Sequence, residues 1–76
     1  MHVTINGLSF NCASLKDAQL MWISARVTSG WGASDVPNVF VYEGRRRIAR
    51  ISYNGRVWSP ERWTVSSKLL LEAPSA

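Results

Sequence analysis

Cysteine and histidine are nearly absent from this sequence. One of each occurs among 76 residues, and no Cys-x-x-Cys motif is present. A single cysteine excludes an intramolecular disulfide, and the two residues together are too few for the usual structural zinc site. We therefore expect no metal, no cofactor and a reducing compartment.

Targeting signals are also missing from the start of the chain. The first ten residues, MHVTINGLSF, contain no cluster of positive charge and no long apolar run. A secretory signal needs both features, and a membrane-spanning helix needs about 20 apolar residues. These absences predict a cytoplasmic protein with no membrane contact.

Groups that could act together in catalysis are scarce. The five carboxylates stand on separate segments without paired spacing: Asp17, Asp35, Glu43, Glu61 and Glu72. His2 could approach Cys12 across a hairpin and form the ingredients of a thiol nucleophile, but no third group is evident to orient the histidine. The alternative for Cys12 is packing in the core. We expect a protein that is not an enzyme.

The chain has the length of one domain with a modest core. A domain of this size buries about three-fifths of its unfolded surface, so its four Trp, two Tyr and two Phe matter to stability. We expect a single domain over residues 1–76 with a frayed tail over 72–76. The net charge of +4 and the pI of about 10.0 favour anionic partners.

Most of the basic charge falls within one stretch, from Val39 to Trp58. It holds five of the nine basic side chains: Arg45, Arg46, Arg47, Arg50 and Arg56. Two turn signals, Glu43-Gly44 and Asn54-Gly55, interrupt β-prone residues, which predicts a three-stranded meander. Such a ribbon could bind a phosphate backbone or an acidic protein surface. Arginines on exposed strands also serve as solubilising and edge-protecting residues, and this alternative stays open.

The second turn predicts a register for the last two strands of the meander. A two-residue Asn-Gly loop would pair Tyr53 with Arg56, Ser52 with Val57, and Ile51 with Trp58. The predicted core face holds Ala49, Ile51, Tyr53 and Trp58, and the predicted solvent face holds Arg46, Ile48, Arg50, Ser52 and Val57. On the solvent face Arg46 and Arg50 would lie roughly 13 Å apart with Ile48 between them.

The N-terminal segment predicts a second hairpin, which would serve as scaffold. Asn6-Gly7 separates two β-prone arms, HVTI and LSFN, and is the signature of a type I′ turn. The predicted pairs are Ile5 with Leu8 and Val3 with Phe10, which puts these four side chains on one face.

The next segment predicts a helix from about Leu15 to Thr28, with Ser14 as its N-cap and Asp17 in its first turn. Its apolar residues form two stripes, with Lys16, Gln19 and Arg26 between them on one side. The first stripe is Leu15, Ala18, Met21, Trp22 and Ala25, and the second is Leu20, Ile23 and Val27. We expect the sheet or the C-terminal segment to cover the second stripe. The alternative is an interface for a homodimer or a target protein.

Two further tryptophans stand in segments of different character. Trp31 lies between two glycines in a turn-rich segment, where it either plugs the end of the core or serves as a binding anchor. Trp63 opens a segment that alternates in period two as far as Leu71, which predicts a final strand.

Together these segments predict an α+β fold, in which one helix packs on a small, mostly antiparallel sheet in the order ββαβββ plus a last strand. A small open β-barrel with one helix is the alternative.

The function that we expect is non-catalytic binding of nucleic acid, or of an acidic surface on a nucleic-acid-handling complex. The five arginines and Trp31 would make the contacts. A short, cofactor-free chain is typical of the small inhibitors and regulators of phages and mobile elements, for example those that act on CRISPR-type effectors. The alternative is a protein–protein adaptor or homodimer that uses Trp31 with Leu20, Ile23 and Val27 and makes no nucleic-acid contact.

Overall fold

The protein has an α+β fold in which one helix packs on a six-stranded antiparallel sheet. A computed structural model describes residues 1–30, 38–60 and 67–74. Its elements are β1 (His2–Ile5), β2 (Leu8–Asn11), α1 (Leu15–Ser29), β3 (Val39–Glu43), β4 (Arg46–Ile51), β5 (Val57–Trp58) and β6 (Leu69–Leu71). The strand order is β2-β1-β3-β4-β5-β6, so β2 and β6 are the edges of an open sheet. The predicted fold class is confirmed, and the chain does not form the alternative barrel.

The first hairpin has the predicted turn and register. Asn6 and Gly7 have φ angles of 52° and 80°, as a type I′ turn requires. Val3 pairs with Phe10, and Ile5 pairs with Leu8. Val3 and Ile5 are buried, whereas Leu8 is 63% exposed and Phe10 is 43% exposed. Leu8 and Phe10 lie on the edge strand β2, whereas α1 packs on β1, β3 and β4.

The helix begins where the sequence predicts and ends one residue later. Ser14 Oγ accepts a hydrogen bond from the Asp17 N–H at 3.1 Å, and Asp17 Oδ2 accepts one from the Ala13 N–H at 2.8 Å. These bonds satisfy N–H groups that the first turn leaves free. Gly30 ends the helix with a φ of 68°, and its N–H donates to the carbonyl of Arg26. No helix in the described part of the chain has the length and apolar character needed to cross a membrane.

The first helix stripe packs in the core, whereas only part of the second stripe does. Trp22 is fully buried and donates from Nε1 to the carbonyl of Ser52 at 3.0 Å. Of the second stripe, Ile23 packs against the core, whereas Leu20 and Val27 are 48% and 72% exposed. Of these three residues, therefore, only Ile23 is covered as predicted.

Gln19 differs from its predicted place on the polar side of the helix. It is fully buried, and its Nε2 donates to the carbonyl of Gly55 at 2.7 Å and to that of Glu72 at 2.9 Å. These bonds compensate for the loss of solvent around Nε2, whereas Oε1 is buried without a hydrogen-bond partner among the described residues. One helix side chain thus holds both the β4–β5 loop and the segment after β6.

A β-bulge in β4 changes the predicted faces of the meander. Val41 pairs with Ala49, but Tyr42 pairs with Arg47, so Ile48 is an extra residue in β4. Ile48 packs against the core instead of lying between two arginines. The prediction that Arg46 and Arg50 share one face is therefore wrong.

The loop between β4 and β5 contains three residues instead of the predicted two. The Ser52 N–H donates to the carbonyl of Arg56 at 2.9 Å, and Gly55 has a φ of 93°. A three-residue hairpin loop with glycine in the left-handed region has this form. Ile51 consequently pairs with Val57, and Arg50 pairs with Trp58. The predicted register is wrong by one residue, so Val57 is buried in the core and Trp58 lies on the opposite face.

The last strand begins later than the sequence predicts. Ser67 and Lys68 precede β6 without strand structure, and the Ser59 N–H donates to the carbonyl of Lys68 at 2.8 Å. The beginning of the predicted strand, including Trp63, lies outside the described residues.

Candidate nucleic-acid interface

Within residues 1–30, 38–60 and 67–74, no helix packs on one face of the sheet, which we call the outer face. Cross-strand pairing arranges its side chains in two rows. The first row is His2, Tyr42 and Arg47, and the second is Thr4, Phe40, Arg50 and Trp58. Residues that oppose each other in an antiparallel sheet lie on the same face with Cβ atoms about 5 Å apart. The outer face therefore combines aromatic and basic side chains across β1, β3, β4 and β5.

The first row is a stack of flat groups. The rings of His2 and Tyr42 lie 5.2 Å apart between centroids, at an interplanar angle of 15°. Arg47 Cζ lies 3.8 Å from the centre of the Phe40 ring and 5.6 Å from that of Tyr42. Arg47 Nη2 also donates to the Tyr42 hydroxyl at 3.2 Å. The aromatic rings thus hold a cation at the surface of the sheet.

The second row ends in Trp58, which the register places beside Arg50. Arg50 Cζ lies 5.8 Å from the Trp58 ring centre. Trp58 Nε1 donates to Ser52 Oγ at 3.3 Å, which fixes the edge of the indole. Trp58 and Arg50 are both half-buried.

The five predicted arginines do not form a single ribbon. Arg47 and Arg50 lie on the outer face, whereas the alternation along β4 turns Arg46 to the other side, opposite Glu43. Arg45 is exposed in the β3–β4 turn, next to Gly44. Arg56 donates from Nε to Glu72 Oε1 at 2.6 Å. Trp31 lies outside the described residues.

The carboxylates that the structure describes lie away from the outer face. In the described ranges the carboxylates are Asp17 at the start of α1, Glu43 at the end of β3, and Glu72 after β6. Glu43 lies 3.9 Å from the N-terminal ammonium group. The hydrogen bond from Arg56 lowers the pKa of Glu72 below its ordinary value. Among the described charged side chains of the outer face, Arg47 and Arg50 contribute positive charge.

Cys12 and His2 do not face each other as a reactive pair. Cys12 is in the core, and burial raises the pKa of its thiol. The His2 ring stacks on Tyr42. Within the described ranges, no three His, Cys, Asp or Glu side chains are grouped so that they could hold a metal ion.

Sequence reasoning missed four aromatic or imidazole members of the outer face: His2, Phe40, Tyr42 and Trp58. Phe40 and Tyr42 alternate with the valines that enter the core, and this period-two pattern was the available signal. The pairing of β1 with β3 brings His2 to the site. A local sequence pattern does not predict the pairing of strands that are so far apart in the chain.

The chain matches no protein-family model, no curated protein and no solved structure at a significant level. Its own residues and their geometry are therefore the basis for a function.

Proposed function

We propose that this protein is a non-catalytic module that binds single-stranded nucleic acid on the outer face of its sheet. The observation that supports it is the cross-strand register, which gathers Phe40, Tyr42 and Trp58 with two arginines on the face opposite α1. Bases would stack on the rings, and phosphates would bind the guanidinium groups of Arg47 and Arg50. Arg45 and Arg46 would add charge at the rim.

The width of this face favours a single strand over a duplex. The five strands from β2 to β5 span roughly 19 Å at the usual spacing between strands. The major groove of DNA is about 12 Å wide and admits a helix or a two-stranded ribbon. A broad face with half-buried rings is better suited to unpaired bases than to a duplex, because stacking requires access to the flat surface of each base.

A role as an inhibitor or regulator of a nucleic-acid-handling complex remains a prediction from chain size and composition. If this protein covered the single strand that an enzyme needs, it would block that enzyme. Binding to an acidic surface of the complex itself could have the same effect. The outer face provides the charge for either partner.

Fluorescence anisotropy with labelled single- and double-stranded oligonucleotides tests this proposal. We expect tighter binding of the single strand and a log–log salt slope of about −1.4 to −2.8, as for two to four neutralised phosphates. Phe40→Ala should weaken binding about fivefold or more, because stacking on one base is lost. The matched control is Phe10→Ala, on the inner face of β2.

Charge is tested with a second matched pair. Arg47→Ala should weaken binding about five- to tenfold, whereas Lys16→Ala removes the same charge from the exposed surface of α1 and should change little. Equal losses within either pair, or no binding of any oligonucleotide at low salt, would overturn the proposal.

A second candidate function is a protein–protein module. The observation in its favour is the exposure of Leu20 and Val27 on the helix. Large exposed apolar side chains in one region are a feature of interaction surfaces. If this function holds, Val27→Lys should abolish binding to a protein target or to a second copy and leave oligonucleotide binding intact. Sedimentation equilibrium measures the second copy.

A further inference from the structure

The edge strand β2 is exposed along its whole length. Its residues Leu8, Ser9, Phe10 and Asn11 are all exposed, including the two apolar residues on the same face of the sheet as α1. Among the described strands, β2 pairs with β1 alone, and the register of that pair is continuous. β2 also contains no lysine and no proline, which often protect an edge from further pairing. The strand is therefore open to a further strand.

The hydrogen bonds to β1 show which backbone groups of β2 face the open edge. The Cys12 N–H donates to the carbonyl of Met1 at 3.0 Å, so it points toward β1. In an antiparallel pair, alternate residues bond to the partner strand through both N–H and C=O, and the residues between them bond through neither. Phe10 therefore bonds to β1, whereas Ser9 and Asn11 direct both backbone groups away from it.

The segment around β2 has no charge that would repel another copy of this basic chain. From His2 to Ser14 the sequence contains no Asp, Glu, Lys or Arg, although the net charge of the chain is +4. Like charges that lie opposite each other across a strand pair are destabilising, and a neutral edge avoids this cost. A strand of an acidic protein would gain no attraction from these side chains. The charge distribution thus favours a second copy as the partner.

An antiparallel pair of two β2 strands is self-complementary. If a twofold axis passes through the pair at Phe10, Ser9 of each copy lies opposite Asn11 of the other. Both of these are hydrogen-bonded pairs, each of which exchanges two N–H···O bonds. Phe10 lies in the non-hydrogen-bonded position between them and opposes Phe10 of the second copy, with Cα atoms about 4.5 Å apart. Phe10 is 43% exposed in one copy, and this contact would cover it.

A groove beside Phe10 provides room for this contact. It has a volume of about 290 Å³. It lies between β2 and α1, and its lining is Phe10, Met21, Ser24, Ala25, Thr28 and Ser29. The twofold axis of an antiparallel strand pair is perpendicular to the sheet, so both helices would lie on the same side and the two grooves would adjoin. The two Phe10 rings would then lie between the helices.

We propose that β2 is a self-association edge, through which two copies of this chain form a dimer with one continuous sheet. The inference goes beyond the proposed function and does not rest on it. It also uses a surface different from the exposed helix residues Leu20 and Val27. Because the contact is short, we expect a weak dimer that dissociates on dilution, as is typical of interfaces below about 1,200 Å².

Sedimentation velocity of the full chain at increasing concentration measures the association. Ser9→Lys combined with Asn11→Lys places lysines opposite each other in both hydrogen-bonded pairs, so it should weaken dimerisation about tenfold or more. The two positions are exposed, and lysine is common on edge strands, so the fold should be retained. Ser9→Lys combined with Asn11→Glu is the matched variant. It places opposite charges across the same pairs and should dimerise at least as tightly as the unchanged chain.

Leu20→Lys combined with Val27→Lys is the control for added net charge. These substitutions add the same two charges at exposed positions of α1 and should leave dimerisation unchanged. If they abolish association while the two lysines in β2 do not, the helix is the interface and the inference is overturned. Equal dimerisation of the two β2 variants would also overturn it, because the proposed register predicts opposite effects.

Hydrogen exchange tests the same edge without substitutions. The Ser9 and Asn11 amides should exchange more slowly as protein concentration rises, because they are hydrogen-bonded only in the dimer. The Phe10 amide bonds to β1 in both states and should change little. A chain that stays monomeric at millimolar concentration, or a dimer in which Ser9 and Asn11 exchange as in the monomer, would overturn the inference. Oligonucleotide binding is measured separately, so neither result decides the proposed function.

Discussion

The β1–β2 and β4–β5 hairpins contain the same Asn-Gly dipeptide but form different turns. In the first, Asn6 and Gly7 both have positive φ and make a two-residue loop. In the second, Gly55 has positive φ and Asn54 does not, and the loop includes Tyr53 as well. The dipeptide is the same in both places, whereas the flanking residues and the surroundings of the two loops differ.

The surroundings of the two loops differ in their contact with the helix. A Cβ atom added at Gly7 would meet nothing within 4 Å, whereas one at Gly55 would lie 3.0 Å from Ile23 Cδ1. Gly55 also accepts a hydrogen bond from Gln19, and Ser52 accepts one from Trp22. We infer that the Asn-Gly dipeptide determines the turn type in the solvent-exposed loop, whereas contacts with the helix determine it in the other loop.

The largest contrast should come from replacing each glycine by alanine. Gly55→Ala should destabilise the protein by about 2 to 5 kcal/mol, because the left-handed backbone costs about 1 to 2 kcal/mol and overpacking against Ile23 costs about 1 to 3 kcal/mol. Gly7→Ala should cost only the backbone component. Urea unfolding followed by circular dichroism gives both values. Equal costs would show that the helix contact does not distinguish the loops.

Removing the buried amide should have the next largest effect. Gln19→Met keeps an unbranched side chain but leaves the carbonyls of Gly55 and Glu72 without their donor, which should cost about 2 kcal/mol. Lys16→Met on the exposed side of α1 is the control and should change stability by less than about 0.5 kcal/mol. Amide shifts in the Tyr53–Gly55 loop should accompany the first change. Their absence would contradict the role of Gln19 in selecting this loop.

The two asparagines should respond differently to glycine. Asn6→Gly should be nearly neutral, because glycine adopts positive φ without strain. Asn54→Gly should destabilise by about 1 kcal/mol, since it removes the acceptor for Ser52 and Arg56 where positive φ is not needed. Thermal unfolding of both variants checks the contrast. A gain in stability from Asn54→Gly would indicate that a two-residue loop is accessible to the second hairpin.

The smallest effect concerns the ion pair between Arg56 and Glu72, and it depends on pH. The pKa of Glu72 is lowered in the folded protein by the hydrogen bond from Arg56, so the pair stabilises the fold above the ordinary pKa of 4.5. That stabilisation is lost as pH falls through the lowered pKa. Glu72→Gln should therefore reduce Tm slightly at neutral pH and leave it unchanged in strong acid. A difference that persists in acid would contradict this origin.

Local patterns predicted much of the fold. The N-cap at Ser14, the type I′ turn at Asn6-Gly7 and the alternation of the first hairpin depend on neighbouring residues, and all are confirmed. The bulge at Ile48 and the three-residue loop depend on long-range packing, so the predicted faces of the meander were wrong. An error of one residue in register exchanges the two faces of a strand, which placed Trp58 in the core and Val57 outside.

The candidate site was predicted only in its charge. The cluster of arginines is visible in composition, and Arg47 and Arg50 do lie on the outer face. The aromatic partners were missed, because the contact between β1 and β3 joins His2 to Tyr42 across forty positions of sequence. The charge of a segment can be counted from its sequence, whereas the residues that share a face of the sheet are known only once the pairing of the strands is known.

The hydrogen bonds of Gln19 also have a consequence for the order of folding. Its two acceptors lie 36 and 53 positions away in the chain. Contacts between distant residues form after the local hairpins and the helix, because closing a long loop costs entropy before the contact compensates for it. The amide should therefore be bound after the folding transition state. These hydrogen bonds should therefore slow unfolding and scarcely affect the rate of folding.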